Sequence, residues 1–472
     1  MSLWAPVLSE RVPGRATATT GAVFTPRFLV LAGVLTVAAL SLLGPARPTY
    51  DPWAWLTWGR EITEGELVTT AGPSWKPLPV LFTTPLALLG DDAAPALWLL
   101  LARTGGVLSI VMTWRLAARF AGWPAGLIAA AGLVICEEYV RHFLPGNSEG
   151  ILVALCLYAV ERHLDGRYAV AFALAFGAAL LRPEIWPFFG VYGLWLVLRD
   201  PRWWRLVFSC FAATSILWFV PEYIGSGDFL RAAERARSPA PGSPAFAAHP
   251  FLEVLQRASG LLAPPVLVGA GVAVVLAIKR GRSRPDSGDV RTIVLLAGSA
   301  TALILLVALM TQAGFAGNLR YLALPAALVC VLAGIGWARL VSEVAERRGL
   351  RAAWVATAVL VAGSIPFALS YTASLDSSLG WVKREAAASR DLSRAIAQSG
   401  GAAAAGCGGV YTGPYTVQLV AWELHRHGSQ VGLTPRVPGT IYNPRGSSPA
   451  QDRRFTAVAS TQGWTVARAC GS

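Results

Sequence analysis

Residues 292–312 read TIVLLAGSATALILLVALMTQ and contain no charged side chain. A helix of about 20 apolar residues is long enough to cross the hydrocarbon core of a bilayer. The whole chain of 472 residues is 54% apolar and only 14% charged, whereas an ordinary soluble protein carries roughly 25% charged residues. Because lipid offers backbone groups no hydrogen-bond partner, this composition predicts membrane-spanning helices.

Apolar stretches of similar character recur along the first 371 residues, separated by short breaks that contain Arg, Pro or Gly. They predict about eleven spans, near 27–45, 94–118, 122–137, 149–163, 168–181, 185–199, 203–221, 261–278, 292–312, 319–338 and 352–371. The spans 122–137 and 168–181 are shorter than the roughly 17 residues that a crossing usually needs. We therefore expect their helices to continue into the charged runs CEEYVRHF and RPEIWPF. The predicted fold is an all-α polytopic membrane protein.

The distribution of charge predicts the orientation. With the N-terminus inside, the inner segments contain nineteen Lys and Arg against eight Asp and Glu, and the outer loops and outer helix ends contain eleven against fourteen. The positive-inside rule then places residues 1–26 in the cytoplasm, with outer loops at 46–93, 137–149 and 222–260 of a plasma-membrane protein. Topology explains the net charge of +13, so no nucleic-acid partner is expected. The first span could alternatively be a cleaved signal, although GPARP is a poor cleavage site.

Residues 372–472 differ from the membrane domain at 27–371, because they are polar and rich in Gly and Ser. The runs VYTG, QVGLT, FTAVAS and WTVARAC are candidate strands, and helical patterns fit about 376–398 and 415–427. We expect a small extracytoplasmic α/β domain. Cys407 and Cys470 both fall in it, where a disulfide could join them.

Ionisable residues are concentrated at the predicted outer helix ends. The first loop contains Asp51 directly after the first span, followed by Arg60 and Lys76, and its four Trp are expected at headgroup level. The later outer ends contribute Glu137, Glu138, Arg141, His142, Glu149, Arg182, Glu184 and Arg320. Surface ion pairs are one explanation. Charged groups near the membrane boundary are costly, however, and usually belong to a functional site. A lipid phosphate needs Arg or Lys, and a hydroxyl acceptor needs a carboxylate to take its proton.

The order of these motifs resembles the C-type glycosyltransferases, which use polyprenyl-phosphate sugars. That superfamily includes protein O-mannosyltransferases, aminoarabinose transferases and actinobacterial mannosyl- and arabinofuranosyltransferases. The resemblance covers most of residues 27–340. It rests on Asp51 after the first span, REI at 60–62, KPLP at 76–79, NSEG at 147–150, RPE at 182–184 and RYL at 320–322.

The resemblance implies that Asp51 is the catalytic base and that Glu149 orients the acceptor or binds a metal, with Mg or Mn possible and no cofactor certain. Lys76, Arg182 and Arg320 would bind the lipid phosphate. Further candidates for substrate binding are Arg60, Arg141, His142, Glu184 and Tyr321, and Glu137 and Glu138 are acidic candidates. The implied donor is a polyprenyl-phosphate sugar, with mannose and arabinofuranose as the first candidates. The acceptor would be an envelope glycan, lipid or protein, and a single displacement would invert the anomeric centre.

Two other classes of function compete with this interpretation. A lipid-linked sugar flippase or transporter should show ionisable or Gly- and Pro-broken segments near the midplane and an internal repeat, and the sequence shows neither. A non-catalytic envelope assembly factor would use residues 372–472 as its binding module and would tolerate loss of Asp51.

Overall fold

The computed structural model describes residues 26–283, 288–445 and 452–470. The predicted cytoplasmic segment therefore lies outside the described residues, apart from its last position. The α-helices are α1 Pro26–Ser41, α2 Tyr50–Glu64, α3 Pro77–Ala87, α4 Ala93–Val134, α5 Glu137–Phe143, α6 Glu149–Leu164, α7 Tyr168–Ala179, α8 Trp186–Arg199, α9 Trp204–Ser226, α10 Arg231–Ala236, α11 Pro250–Gly260, α12 Pro264–Ser283, α13 Gly288–Gln312, α14 Ala323–Gln398 and α15 Val417–Glu423.

Each of the eleven predicted spans coincides with a helical segment. Helix α4 contains two of them, because its backbone leaves the helical conformation at Ala121 and Gly122, and α14 contains two on either side of Gly349. Within the described ranges, five helical stretches are long and apolar enough to cross a membrane: Ala93–Val134, Pro201–Ser226, Pro264–Arg282, Gly288–Gln312 and Leu319–Gln398. The polytopic helical fold class is confirmed.

The expected helix extensions into the two charged runs are wrong. Helix α4 ends at Val134, and the extended backbone of Cys136 separates it from the short helix α5. Helix α7 ends at Ala179, and Arg182 is extended at φ −146° and ψ 124°. Pro183 explains this second break, because the proline ring disfavours the α conformation in the residue before it. The charged residues thus lie on separate short segments.

The C-terminal domain contains a five-stranded mixed sheet. Its strands are β1 Gly409–Thr412, β2 Val431–Gly432, β3 Gly439–Pro444, β4 Thr456–Ser460 and β5 Trp464–Ala469, in the spatial order β2-β1-β3-β5-β4. Strand β1 is parallel to β2 and β3, whereas β5 is antiparallel to β3 and β4. Four strands match the predicted runs, but β3 was missed. The boundary at residue 371 stays a prediction, because α14 passes it without a break.

Helix α2 and the C-terminal domain share one hydrophobic core. Trp53, Trp55, Trp58 and Trp75 are each at most 2% exposed, and the ring of Trp53 lies 5.7 Å from that of Trp422 in α15. The four indoles therefore pack inside the protein, and their position at headgroup level stays a prediction. They stabilise the junction between the first loop and the domain.

Cys407 and Cys470 form a disulfide with a Cα–Cα distance of 5.4 Å, which joins the entry of β1 to the residue after β5. The bond closes a loop across a sequence separation of 63 residues, for which chain entropy predicts a stabilisation of about 4 kcal/mol. We expect the Cys407→Ala/Cys470→Ala protein to expose the C-terminal domain to limited proteolysis at a lower temperature than wild type. Cys156→Ala is the matched control. Equal cleavage temperatures for all three proteins would contradict this prediction.

Candidate active site

Asp51 lies in the first turn of α2, where it meets two cations from distant parts of the chain. Arg320, in the turn before α14, places Nη1 2.8 Å from Asp51 Oδ2. Lys76, the residue before α3, places Nζ 3.9 Å from the same oxygen. Burial alone would raise the pKa of Asp51, but these two cations hold the pKa below its usual range. Asp51 is therefore a buried, ionised carboxylate.

Lys76 is positioned by the packing of α3 against α2. Thr83 Oγ1 donates to the carbonyl of Trp55 at 2.6 Å, and Lys76 Nζ lies 5.0 Å from the centre of the Trp55 ring. Burial and the neighbouring positive charge of Arg182 lower the pKa of Lys76 to about 7, although Asp51 acts in the opposite direction. The protonation of this ammonium group thus depends on pH in the physiological range.

Glu149 begins α6 and forms a buried ion pair with Arg182. Helices α4 and α6 approach closely beside Glu149. A Cβ on Gly150 would lie only 2.6 Å from the Cα of Gly106, so this approach requires glycine at position 150. Arg182 also lies 3.9 Å from Glu184, and its guanidinium carbon is 4.4 Å from the centre of the Tyr321 ring. The aromatic ring therefore helps to hold Arg182 in place.

We define the ionic cluster as Asp51, Lys76, Glu149, Arg182, Glu184 and Arg320. Three carboxylates and three cations are present, and five of the six residues are less than 10% exposed. Among the described residues, four buried atoms of the cluster have no hydrogen-bond partner: Lys76 Nζ, Glu149 Oε2, Arg182 Nε and Glu184 Oε2. Buried polar groups are normally satisfied, and charged ones are costly when they are not. Such an arrangement is typical of a site that a polar ligand completes.

A small cavity lies beside the cluster and is lined by Glu138, His142, Glu149 and Arg320 among others. His142 Nε2 lies 3.0 Å from Glu138 Oε2, as expected for residues one helical turn apart. This hydrogen bond is the main reason that the pKa of Glu138 is lowered. The side chain of Glu137 lies outside the described residues. The predicted candidates Glu138 and His142 face the cluster, because they line this cavity together with Glu149 and Arg320.

Arg60 and Arg141 do not contact the residues of the ionic cluster, and their role in substrate binding stays a prediction. The guanidinium carbon of Arg60 lies 4.4 Å from the centre of the Trp422 ring, and Nη1 donates to the carbonyl of the same residue at 3.3 Å. Arg141 lies 3.9 Å from Glu138, and its guanidinium carbon is 5.2 Å from the centre of the Trp381 ring. Arg60 thus connects α2 to α15, and Arg141 connects α5 to α14. These contacts could not be predicted from the sequence, because they depend on how distant segments pack.

The segment after α9 contributes two arginines that the sequence analysis did not select. Arg231 Nη1 donates to the carbonyl of Pro73 at 2.9 Å, and Arg235 Nε donates to the carbonyl of Gly72 at 3.1 Å. Arg231 also lies 3.5 Å from Glu222, which is fully buried. These contacts hold the segment that leads to Lys76. In the sequence, Arg231 and Arg235 could have been recognised because they are four residues apart, which places both on one face of α10.

The carboxylates do not form an obvious metal centre. Within the described part of the chain, no group of three or more His, Cys, Asp or Glu side chains is arranged to hold a metal ion. Glu149, for which a metal-binding role is one expectation, is paired with Arg182, and that role stays a prediction.

Comparisons with known proteins identify the fold. No protein-family model matches the chain, and no curated protein matches it. Two solved structures of ArnT from Cupriavidus metallidurans are similar, with TM-scores of 0.58 for the apo state and 0.55 for the complex with undecaprenyl phosphate. Each is 16% identical in sequence and covers 94% of this chain and 98% of the ArnT chain. ArnT is a C-type glycosyltransferase. The chain has the C-type glycosyltransferase fold.

The C-type fold agrees with the resemblance drawn from the motifs between Asp51 and Arg320. The similarity to ArnT at 16% identity establishes the architecture of the chain. Its chemistry depends on the residues of the site, which here are those of the ionic cluster. The archaeal oligosaccharyltransferase AglB from Archaeoglobus fulgidus matches with a TM-score of only 0.45 and 12% identity, which is too low to support an argument.

Proposed function

We propose that the protein is a plasma-membrane glycosyltransferase that moves a sugar from a polyprenyl-phosphate donor to an envelope acceptor on the outer face. The observation that carries this proposal is the buried carboxylate of Asp51, held between Arg320 at 2.8 Å and Lys76 at 3.9 Å. A phosphate anion needs such cations, and an acceptor hydroxyl needs such a carboxylate. The similarity to ArnT bound to undecaprenyl phosphate adds support.

The ionic cluster accounts for both partners of the reaction. A donor phosphate would be bound by Arg320, Lys76 and Arg182. Lys76 Nζ and Arg182 Nε are donors without a hydrogen-bond partner among the described residues. Because the phosphate would then share the cations that now neutralise Asp51, the pKa of that carboxylate would rise towards a value better suited to a base.

In the transfer step, Asp51 takes the proton of the acceptor hydroxyl while the hydroxyl oxygen forms a bond to the anomeric carbon. The bond between that carbon and the phosphate oxygen breaks, and the bonding electrons leave with the polyprenyl phosphate. The cations stabilise the charge that develops on this leaving group. A single displacement of this kind inverts the anomeric configuration, and mannose and arabinofuranose are the sugars to test first.

A sugar-transfer assay tests the proposal directly. Purified protein would receive radiolabelled polyprenyl-phospho-mannose or polyprenyl-phospho-arabinofuranose together with a membrane glycan extract. We expect label to move from one donor to the glycan. If neither donor supports transfer while labelled lipid crosses proteoliposome membranes, the flippase alternative replaces this proposal.

Donor binding should depend on pH through Lys76. The donor is a phosphodiester, which keeps one negative charge across this range, whereas Lys76 loses its proton as the pH rises through about 7. We therefore expect the donor Kd to rise above pH 7, by at most about tenfold per pH unit. Titration calorimetry between about pH 6 and pH 9 measures this slope.

Two variants identify the titrating group. Arginine stays protonated in this range, so Lys76→Arg should make donor affinity nearly independent of pH. His142→Gln removes the imidazole that faces the same cluster and should leave the slope in place. A slope that persists in Lys76→Arg and disappears in His142→Gln would assign the dependence to the histidine.

A further inference from the structure

A cleft of about 450 Å³ lies between the first outer loop, the segment after α9 and the C-terminal domain. Its volume is within the range of roughly 300–1,000 Å³ that is typical of small-ligand sites. Its walls include Tyr50 and Gly72 from the first loop, Arg231 and Arg235 from α10, and Gly428 and Ser429 from the domain. None of these residues belongs to the ionic cluster.

The cleft runs from an exposed rim to a buried floor. Arg235 and Ser429 are exposed, whereas Gly72 and Gly428 are buried. Tyr50 also lines the cleft, interacts with Arg235, and immediately precedes Asp51 at the start of α2. A ligand that enters from solvent and reaches Tyr50 is therefore one residue away from the proposed base.

Gln418 lies behind this floor, beside Tyr50. The side chain is buried, and its amide interacts with the hydroxyl of Tyr50. A Cβ added to Gly72 would lie 3.0 Å from Nε2, and one added to Gly428 would lie 2.9 Å from it. Glycine at both positions thus leaves room for the amide between the first loop and the domain. The amide thereby holds the Tyr50 side chain at the wall of the cleft, so its removal should weaken the binding of a ligand that bonds to Tyr50.

We propose that this cleft is the acceptor subsite and that it takes a hydroxyl-rich saccharide chain; this inference rests on the proposed transferase function. The lining offers hydrogen-bond donors and acceptors together, from Tyr50, Ser429, Glu234 and the two arginines, as sugar hydroxyls require. Two guanidinium groups against the single carboxylate of Glu234 favour a neutral or anionic saccharide over a cationic one. The accepting hydroxyl approaches Asp51 past Tyr50. The donor phosphate is bound by the cations of the ionic cluster.

Blocking the rim and removing the amide test the subsite separately. Ser429→Trp fills the cleft, and Gln418→Met keeps the side-chain length but removes the donor. Thr456→Trp is the matched control, because it adds the same side chain to exposed β4, at the sheet edge opposite β2. The probe is a set of fluorescently labelled oligosaccharides released by mild acid from the envelope glycan, offered to full-length protein in nanodiscs. Binding and the transfer KM for this acceptor are measured together with donor affinity.

We expect Ser429→Trp to weaken oligosaccharide binding at least about tenfold and Gln418→Met to weaken it by about fivefold, the loss typical of one neutral hydrogen bond. Thr456→Trp should match wild type, and donor affinity should be unchanged in all three. If Ser429→Trp and Gln418→Met bind and transfer like wild type, the acceptor lies elsewhere and the transferase function still stands. If wild type transfers from neither donor while labelled lipid crosses proteoliposome membranes, the proposed function fails and the acceptor role fails with it.

Discussion

Asp51→Asn is expected to lose sugar transfer by about 10²–10⁴-fold, the usual contribution of a general base. The amide keeps the size of the side chain but cannot accept the proton of the acceptor hydroxyl. Donor binding should tighten, because the phosphate then no longer competes with a carboxylate for Arg320 and Lys76. Transfer rates and donor affinities, measured on the same preparation, show whether the two quantities move in opposite directions.

Glu64→Gln is the matched control for this substitution, because Glu64 lies on the same helix α2 and is exposed. Its transfer rate should equal that of wild type. Loss of a buried ion-pair partner can also destabilise the protein by about 3–5 kcal/mol, so thermal unfolding must be followed in parallel. A folded Asp51→Asn protein that transfers sugar at the wild-type rate would exclude Asp51 as the base. If wild type itself showed no transfer, the assembly-factor alternative would be favoured instead.

Arg320→Gln is expected to weaken donor binding by about 10- to 150-fold, which corresponds to one charge-assisted hydrogen bond of about 1.5–3 kcal/mol. The guanidinium group is the cation nearest to Asp51 and also lines the small cavity beside Glu149. Titration calorimetry with the polyprenyl-phosphate sugar gives the change in Kd directly.

Arg320→Lys separates the role of charge from that of geometry. Lysine keeps the positive charge but loses the planar pair of donors, so its donor affinity should lie between those of wild type and Arg320→Gln. Arg257→Gln is the control. Arg257 is partly exposed, and its ion pair is with Glu253 on α11, not with a residue of the ionic cluster. Equal donor affinity in Arg320→Gln and wild type would show that the phosphate binds elsewhere.

Much of the architecture was predictable because lipid imposes a simple rule on the backbone. Every predicted span coincides with a helical segment, since an apolar stretch in a membrane has to satisfy its hydrogen bonds internally. The errors are local and have local causes. Pro183 ends the helix before Arg182, and the extended Cys136 separates α4 from α5. Strand β3 was missed because GTIYNP shows little alternation and is buried along nearly its whole length.

The candidate residues were predictable as a set but not as contacts. Their common outer position follows from topology, and the ion pair between Asp51 and Arg320 is consistent with it. Their sequence separation says nothing about which of them meet. Arg60 was a candidate for substrate binding because it begins the REI motif at 60–62, yet nine residues along α2 separate it from Asp51 and bring it to the C-terminal domain, where it contacts Trp422.

Composition and charge pattern were sufficient for the membrane helices, their predicted orientation and the separate character of the C-terminal domain, because each depends on short-range properties of the chain. Three features required the folded arrangement: the pairing within the ionic cluster, the burial of the first-loop tryptophans against the domain, and the cleft over Gln418. Each joins segments that are tens to hundreds of residues apart. Such contacts depend on how helices pack, through close approaches such as that of Gly150 to Gly106, and local sequence carries no record of their partners.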